Sequence, residues 1–243
     1  WSVYEPEEGV FNFAWLEKIV DDLFNNGIYV ILGTPSGARP AWLDEKYPEA
    51  MRVNANGVRN RHGLRHNHCM SSPKYREKVA IINRQLAERF GNHPGLLLWH
   101  ISNEFGGECY CDLCKVRFQE FLRSKFKDDI NALNYEYWTT FWSHRYNRFE
   151  QIEPPYANGE RSIHGLNLDW KRFTTWNMTD YMKSEIEVLR QVNPNIPVTT
   201  NFMRLYNGLD YNEMVKEIDI ISWDGYPEWN NDYEPLYQTA ASM

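Results

Sequence analysis

Short apolar runs of strand length alternate along this chain with longer stretches in which apolar residues recur every three to four positions. After a loop-like opening, Trp1 to Gly9, the residues Leu16, Ile19, Val20 and Leu23 predict a helix that Asn25-Asn26-Gly27 stops. Ile28 to Leu32 then reads as a strand with Gly33-Thr34-Pro35 at its exit. The stretch from there to Pro73 is rich in Gly, Pro, Asn and Arg and reads as a long functional loop. Val79, Ile82, Leu86 and Phe90 mark a second helix, ended by Gly91-Asn92-His93-Pro94. Leu96 to Ile101 follows as an apolar run of the kind a fully buried parallel strand shows. Helical spacing returns at Val116, Phe118, Phe121 and Leu122, and again at Met178, Met182, Ile186 and Leu189. Between them the aromatic-rich residues 132–149 allow a helix without fixing its ends, and Glu153-Pro154-Pro155 breaks the pattern. Pro197 to Phe202 and Ile218 to Trp223 complete the strands, the last closed by Asp224-Gly225-Tyr226-Pro227.

Four strands in a βα rhythm, each followed by polar or turn-forming residues, predict part of a (β/α)8 TIM barrel, whose functional groups gather at the carboxyl ends of its strands. A doubly wound open sheet is the rival, but no G-x-G-x-x-G fingerprint follows any strand. Four strands make half a barrel, and an open half exposes strand edges and an apolar face. With Trp1 in place of an initiating Met, the expectation is a piece of a longer chain, residues 1–243 forming the central part of a single barrel domain.

The net charge of −7 argues against nucleic acid or an anionic membrane as partner, and no apolar stretch approaches the ~20 residues of a membrane helix. Aromatic residues make up 15% of the chain, with 10 Trp and 15 Tyr. Such side chains suit core packing, and they suit sugars, whose C–H faces stack on rings.

The candidate chemistry is concentrated in GLLLWHISNEFGGECYCDLC, Gly95 to Cys114. Glu104, with Asn103 before it, stands at a strand exit. A carboxylic acid there is placed to protonate a glycosidic oxygen, and the neighbouring amide to hydrogen-bond a sugar hydroxyl; a salt-bridged surface Glu is the plainer reading of the same pair. Gly106-Gly107 lets the chain turn into Cys109, Cys111 and Cys114, which with Cys69 make the four thiols of a closed, structural zinc site. Reduced thiols or disulfides are the alternative. Metal-binding rather than disulfide-bonded cysteines point to a cytoplasmic location. Arg65, four residues before Cys69, is either a loop cation or a group that orients substrate or acid. His62, His66 and His68 lack a matching carboxylate and read as loop histidines. Trp138 and Trp142 offer a stacking wall or core packing, and Tyr226 at the last strand's exit is equivocal alone.

Together the stretches WSVYEPEEGVFNFAWL, ILGTPSGARPAWL, Arg65 with HNHC, LLLWHISNEFGGECYCDLC, TTFWSHRY and SWDGYP resemble glycoside hydrolase family 42, the β-galactosidases with a catalytic (β/α)8 barrel. The resemblance implies that the four strands are the third to sixth of the barrel and that Glu104 is the acid/base. It implies that Arg65, Asn103, Trp142 and Tyr226 line the galactose subsite, and that Cys69, Cys109, Cys111 and Cys114 hold zinc. It implies a galactoside or oligosaccharide substrate and a homotrimer for the full-length enzyme. It places the nucleophile on a Glu of the seventh strand, beyond Met243, so this chain alone is expected to be inactive. Asp224 lies on the sixth strand and is not nominated in its place. An arabinosidase or glucanase of the same fold, and a non-catalytic sugar-binding scaffold stabilised by zinc, are the rival functions.

Overall fold

The computed structural model describes residues 1–204 and 206–226. Their strands, β1 (Val30–Gly33), β2 (Leu96–His100), β3 (Val198–Phe202) and β4 (Ile220–Trp223), form one sheet in the order β1-β2-β3-β4, every pair parallel. Spatial order following chain order is the arrangement of a barrel wall; a doubly wound sheet reverses direction at a switch point. The helices are α1 (Ala14–Asn25), α2 (Ala41–Lys46), α3 (Pro73–Phe90), α4 (Asp112–Lys125), α5 (Ile130–Glu136), α6 (His164–Val192) and α7 (Tyr211–Met214).

The sheet is covered on one face. Val79, Ile82 and Leu86 of α3 and Met182, Ile186 and Leu189 of α6 pack with Leu32, Leu96, Trp99 and Val198 in one buried cluster. On the other face Ile31, Leu97 and Ile221 are half or more exposed, at 54, 50 and 65%. The β2 run is therefore not fully buried: Leu96 and Trp99 pack under the helices while Leu97 is half exposed, at the irregularity where Val30 pairs with Leu96 and Ile31 with Leu98. An apolar sheet face uncovered by helices is what the inner wall of a barrel looks like when its remaining strands are not beside it.

α6 is longer than its apolar spacing suggested. Its first half joins a second cluster, in which Trp170 and Phe173 meet Phe118 and Leu122 of α4 beside the four cysteines. This half carries buried polar residues that hide the period. Asp169, fully buried, accepts from Lys125 Nζ at 2.6 Å and Arg172 Nη1 at 2.9 Å, and from the Tyr137 hydroxyl. The loop after β1 is also more ordered than its composition implied: it holds α2 and two antiparallel bridges, Met51–His68 and Val53–Arg59.

A buried carboxyl ties the strand exits to the helix layer. Glu185 of α6 accepts hydrogen bonds from Ser36 Oγ at 2.7 Å, Asn83 Nδ2 at 2.9 Å and Thr34 Oγ1 at 3.1 Å. Thr34 Oγ1 in turn accepts from the Ser102 backbone N–H at 2.7 Å, so the exits of β1 and β2 share one anchor. Burial pushes the Glu185 carboxyl above its ordinary value of 4.5, against those hydrogen bonds. The native state therefore holds this proton to higher pH than the unfolded chain, and the contribution of Glu185 to stability, full below about 4.5, falls as pH rises through the raised value. Glu185→Gln is expected to flatten the pH dependence of the urea midpoint above pH 4.5, while Glu185→Ala, which orphans three buried donors, costs roughly 3 kcal/mol or more at every pH. Parallel wild-type and Glu185→Gln curves across that range would contradict this account.

Candidate functional site

Glu104 sits just past the carboxyl end of β2, where the chain leaves the sheet through two left-handed residues, Ser102 at φ 51° and Glu104 at φ 35°. Non-glycine residues persist in that region only where their surroundings over-determine them, and here the restraints are visible. The Ser102 amide is held by Thr34, and the Glu104 amide donates to Asn201 Oδ1 at 2.9 Å. Asn201 belongs to β3, so two neighbouring strands fix the backbone of one carboxylate. The side chain of Glu104 is 12% exposed and its Oε2 lies 2.7 Å from Arg65 Nη2. The same oxygen accepts from Asn103 Nδ2 at 3.3 Å, and Asn103 Oδ1 accepts from Asn201 Nδ2 at 3.2 Å.

Arg65 is held in place by its loop rather than by burial. It stands between Leu64 at φ 59° and His66 at φ 55°, after Gly63 at φ 103°, and the His66 amide donates to Gly37 O at 2.8 Å. With Asn103 it lines a cleft of about 360 Å³ bounded also by Trp1, Tyr4, Thr34 and His66. A cleft of similar size between α4, α6 and α7 carries none of the candidate residues.

The electrostatics of Glu104 are those of a carboxylic acid rather than a plain ion-pair partner. The neighbouring Asp224 carboxyl, through a side-chain hydrogen bond, pushes Glu104 above its ordinary value; burial adds to this and Arg65 opposes it. Asp224 is pinned in turn, its backbone N–H on Phe202 O at 2.9 Å and its two carboxylate oxygens accepting from Asn201 Nδ2 at 3.0 and 3.2 Å. His66, lined up beside Arg65, is pushed down to about 4 by burial and by the charges of Arg52 and Arg65. It is neutral at neutral pH.

The four cysteines converge. All four sulfurs lie within 4.8 Å of one another, with Cys69 Sγ 3.4 Å from Cys111 Sγ and 3.5 Å from Cys114 Sγ. An ion at about 2.3 Å from four tetrahedral sulfurs sets neighbouring sulfurs about 3.8 Å apart, so the observed cluster is the right size to hold one. Cys111 and Cys114 come from the start of α4, Cys69 from the turn before α3 and Cys109 from the strand-exit loop. Hydrogen bonds among the thiols, that from Cys109 first in each case, push Cys69 up and Cys111 down. Ionising one sulfur thus suppresses another, a repulsion that a divalent cation relieves.

Arg52 joins this cluster to the loop of Glu104. Its guanidinium donates to Gly106 O at 3.1 Å and His68 O at 3.4 Å, and burial pushes it down while the charges of Cys109 and Cys69 pull it back. Gly107 makes the approach possible: at φ 80° it already needs glycine, and a Cβ there would stand 1.9 Å from Arg52 Nη1.

The structure thus brings Arg65, Asn103 and Glu104 together, and the four cysteines. Trp142 stands apart, 76% exposed on the turn Phe141–Ser143 with its ring against Phe141. Tyr226 is exposed at the β4 exit, where its carbonyl accepts from Arg204 Nη2 at 2.8 Å; Pro227 beside it lies outside the described residues. Two further participants, Asn201 and Asp224, stand at strand exits in the sequence but are not nominated there as site residues. An Asn inside an apolar strand was the available signal for the first, since Asn is depleted in strands.

Fold and site define a β/α-barrel protein with a hydrogen-bonded, partly desolvated carboxyl at a strand exit, the frame of the barrel glycosidases. The chain belongs to glycoside hydrolase family 42, whose profile, described as beta-galactosidase, matches residues 1–242. It is 58% identical over 230 residues to the beta-galactosidase BglY of Alicyclobacillus acidocaldarius, covering 95% of this chain and 33% of that one. It is 54% identical over 249 residues to the beta-galactosidase GanA of Bacillus subtilis, covering all of this chain and 37% of that one. Among solved structures, the cold-adapted beta-galactosidase of Rahnella sp. R3 superposes with a TM-score of 0.95 at 49% identity, over 99% of this chain and 35% of the other. The chain thus spans about a third of the length of the curated relatives it matches, and its four-stranded sheet is part of a (β/α)8 barrel. Among the described residues no helix is long and apolar enough to cross a membrane.

Proposed function

We propose that the protein of which this sequence forms the central barrel segment is a retaining β-galactosidase that cleaves terminal non-reducing β-D-galactosides, with Glu104 as its acid/base. The observation that carries this reading is the setting of Glu104: a carboxyl at a barrel strand's exit, fixed by Asn201 and Arg65 and biased toward its protonated form by Asp224. As the acid, Glu104 donates its proton to the leaving oxygen as the glycosidic bond breaks. As the base, it then removes a proton from the water that hydrolyses the glycosyl-enzyme. Asn103 and Arg65, both on Glu104 Oε2, present donors to sugar hydroxyls, and the reading keeps Trp142 and Tyr226 as further walls of the galactose subsite.

Asp224 is not the nucleophile. Retaining chemistry needs its two carboxyl groups ~5–5.5 Å apart, and a carboxyl in hydrogen-bond contact with Glu104 leaves no room for a sugar carbon between them. The reading assigns that role to a Glu on the seventh strand.

Cys69, Cys109, Cys111 and Cys114 would hold zinc. Four thiolates close its coordination shell, so the metal supplies folding energy to the loops and no catalytic water. The test of substrate class is a panel of 4-nitrophenyl glycosides on the full-length protein: kcat/KM highest for the β-galactoside supports the reading. A preference for the α-arabinoside or β-glucoside favours the other barrel glycosidases, and no turnover of any favours a sugar-binding scaffold.

A further inference from the structure

At the strand exits the Asn201 side chain joins three residues, Glu104, Asn103 and Asp224. Its Oδ1 accepts from the Glu104 backbone N–H at 2.9 Å, while its Nδ2 donates to Asn103 Oδ1 at 3.2 Å and to both carboxylate oxygens of Asp224 at 3.0 and 3.2 Å. This division of labour uses both ends of a carboxamide. The oxygen end holds Glu104 in its left-handed conformation, and the NH2 end holds a carboxylate against the Glu104 side chain. Aspartate in that place keeps the acceptor but loses both donors. Leucine loses everything and leaves the Glu104 amide without its partner.

We propose that Asn201 and Asp224 act as a positioning pair for Glu104: Asn201 fixes the backbone from which the carboxyl projects, and it carries Asp224, which faces that carboxyl. This rests on the reading of Glu104 as acid/base. The pair solves a specific problem. Arg65, 2.7 Å from Glu104 Oε2, favours the ionised form of a group that must begin the reaction as an acid, and the negative charge of a neighbouring carboxylate offsets that pull. The groups that face Glu104 among the described residues are Arg65 on the loop after β1, its own neighbour Asn103, Asp224 after β4 and Tyr211 of α7. Tyr211 is held neutral, its hydroxyl donating to Met203 O at 3.1 Å and its ionisation opposed by burial. Asp224 is therefore the negative charge that balances Arg65.

The test is the pH profile of kcat/KM for a galactoside with a poor leaving group, measured on the full-length wild type, Asp224→Asn and Asn201→Asp. In a retaining glycosidase the alkaline limb reports the acid's loss of its proton. Asp224→Asn removes a negative neighbour and is expected to move that limb about one pH unit down. Asn201→Asp adds a carboxylate and is expected to move it up, with thermal midpoints of both variants taken alongside. A purely structural role lowers the whole profile without displacing the limb. Limbs that stay put, or shift in the same direction, overturn the pair. Should Asn201→Asp fail to fold, the direction of the Asp224→Asn shift decides alone. Glu104→Gln serves as the control: if it lacks the alkaline limb, the acid/base reading stands and the other two variants judge the pair. If it keeps the limb, both ideas fall together.

Discussion

Glu104→Gln in the full-length enzyme is expected to divide galactosides by their leaving groups. For a substrate such as lactose, whose departing sugar must be protonated, kcat/KM should fall ~10²–10⁴-fold, the usual value of a positioned general acid. For 2,4-dinitrophenyl β-galactoside, whose leaving group departs as a stable anion, kcat/KM should stay within a few-fold of wild type. Its kcat and KM should drop together, because the step that needs Glu104 as base becomes slow and the glycosyl-enzyme accumulates. The division follows from where the residue sits. Its carboxyl is reached by Arg65 and Asn103 and biased toward the acid by Asp224, so Gln keeps the shape and hydrogen bonding and loses only the proton. An equal loss on both substrates would mean that the substitution damages binding or folding and that the proton of Glu104 is not what matters.

The second large effect is expected at the thiol cluster. Four sulfurs within 4.8 Å, drawn from three separate segments, fasten the turn before α3, the exit loop of Glu104 and the start of α4 to one point. The purified protein should contain one zinc per chain. Cys69→Ser should remove it and cost more than about 4 kcal/mol, the range in which loss of a metal stands out among single substitutions. At ~2–4 °C per kcal/mol for a chain of this size, the thermal midpoint falls by roughly 10 °C. Arg52, which bridges the cluster to Gly106 O, carries the disturbance toward Glu104, so activity should fall even below the new midpoint. Metal analysis with calorimetry checks both parts. A chelator that leaves metal content, thiol reactivity and midpoint unchanged would remove zinc from the account.

Much of this was legible in the residues. The apolar runs at Leu96 to Ile101 and Pro197 to Phe202 locate β2 and β3 to within a residue at each end, because a run of that length between turn-forming residues is too short for a helix. The C-x-C-x-x-C spacing with one distant Cys pointed to the cluster, since three thiols within six residues are too crowded for an ordinary disulfide framework. α2 was invisible, being six residues within a loop-like composition, and so was the first half of α6, where buried Asp169, Thr174 and Asn177 interrupt the apolar period. β1 begins at Val30, two residues later than its apolar run, because Ile28 and Tyr29 are exposed ahead of the first pairing. The candidate site divides along the same line. Glu104, Asn103 and Arg65 stand in recognisable local strings, whereas Asn201 and Asp224 matter through contacts made across the sheet, which no spacing along the chain records.

The central claim, that Glu104 is the acid/base of a retaining glycosidase, is tested most directly by azide rescue of Glu104→Ala in the full-length enzyme. With the carboxylate gone, an anion is no longer repelled from the glycosyl-enzyme and attacks it in place of activated water. The account predicts that azide accelerates turnover of 2,4-dinitrophenyl β-galactoside and that the product is β-galactosyl azide. No acceleration, or galactosyl azide of α configuration, would contradict it.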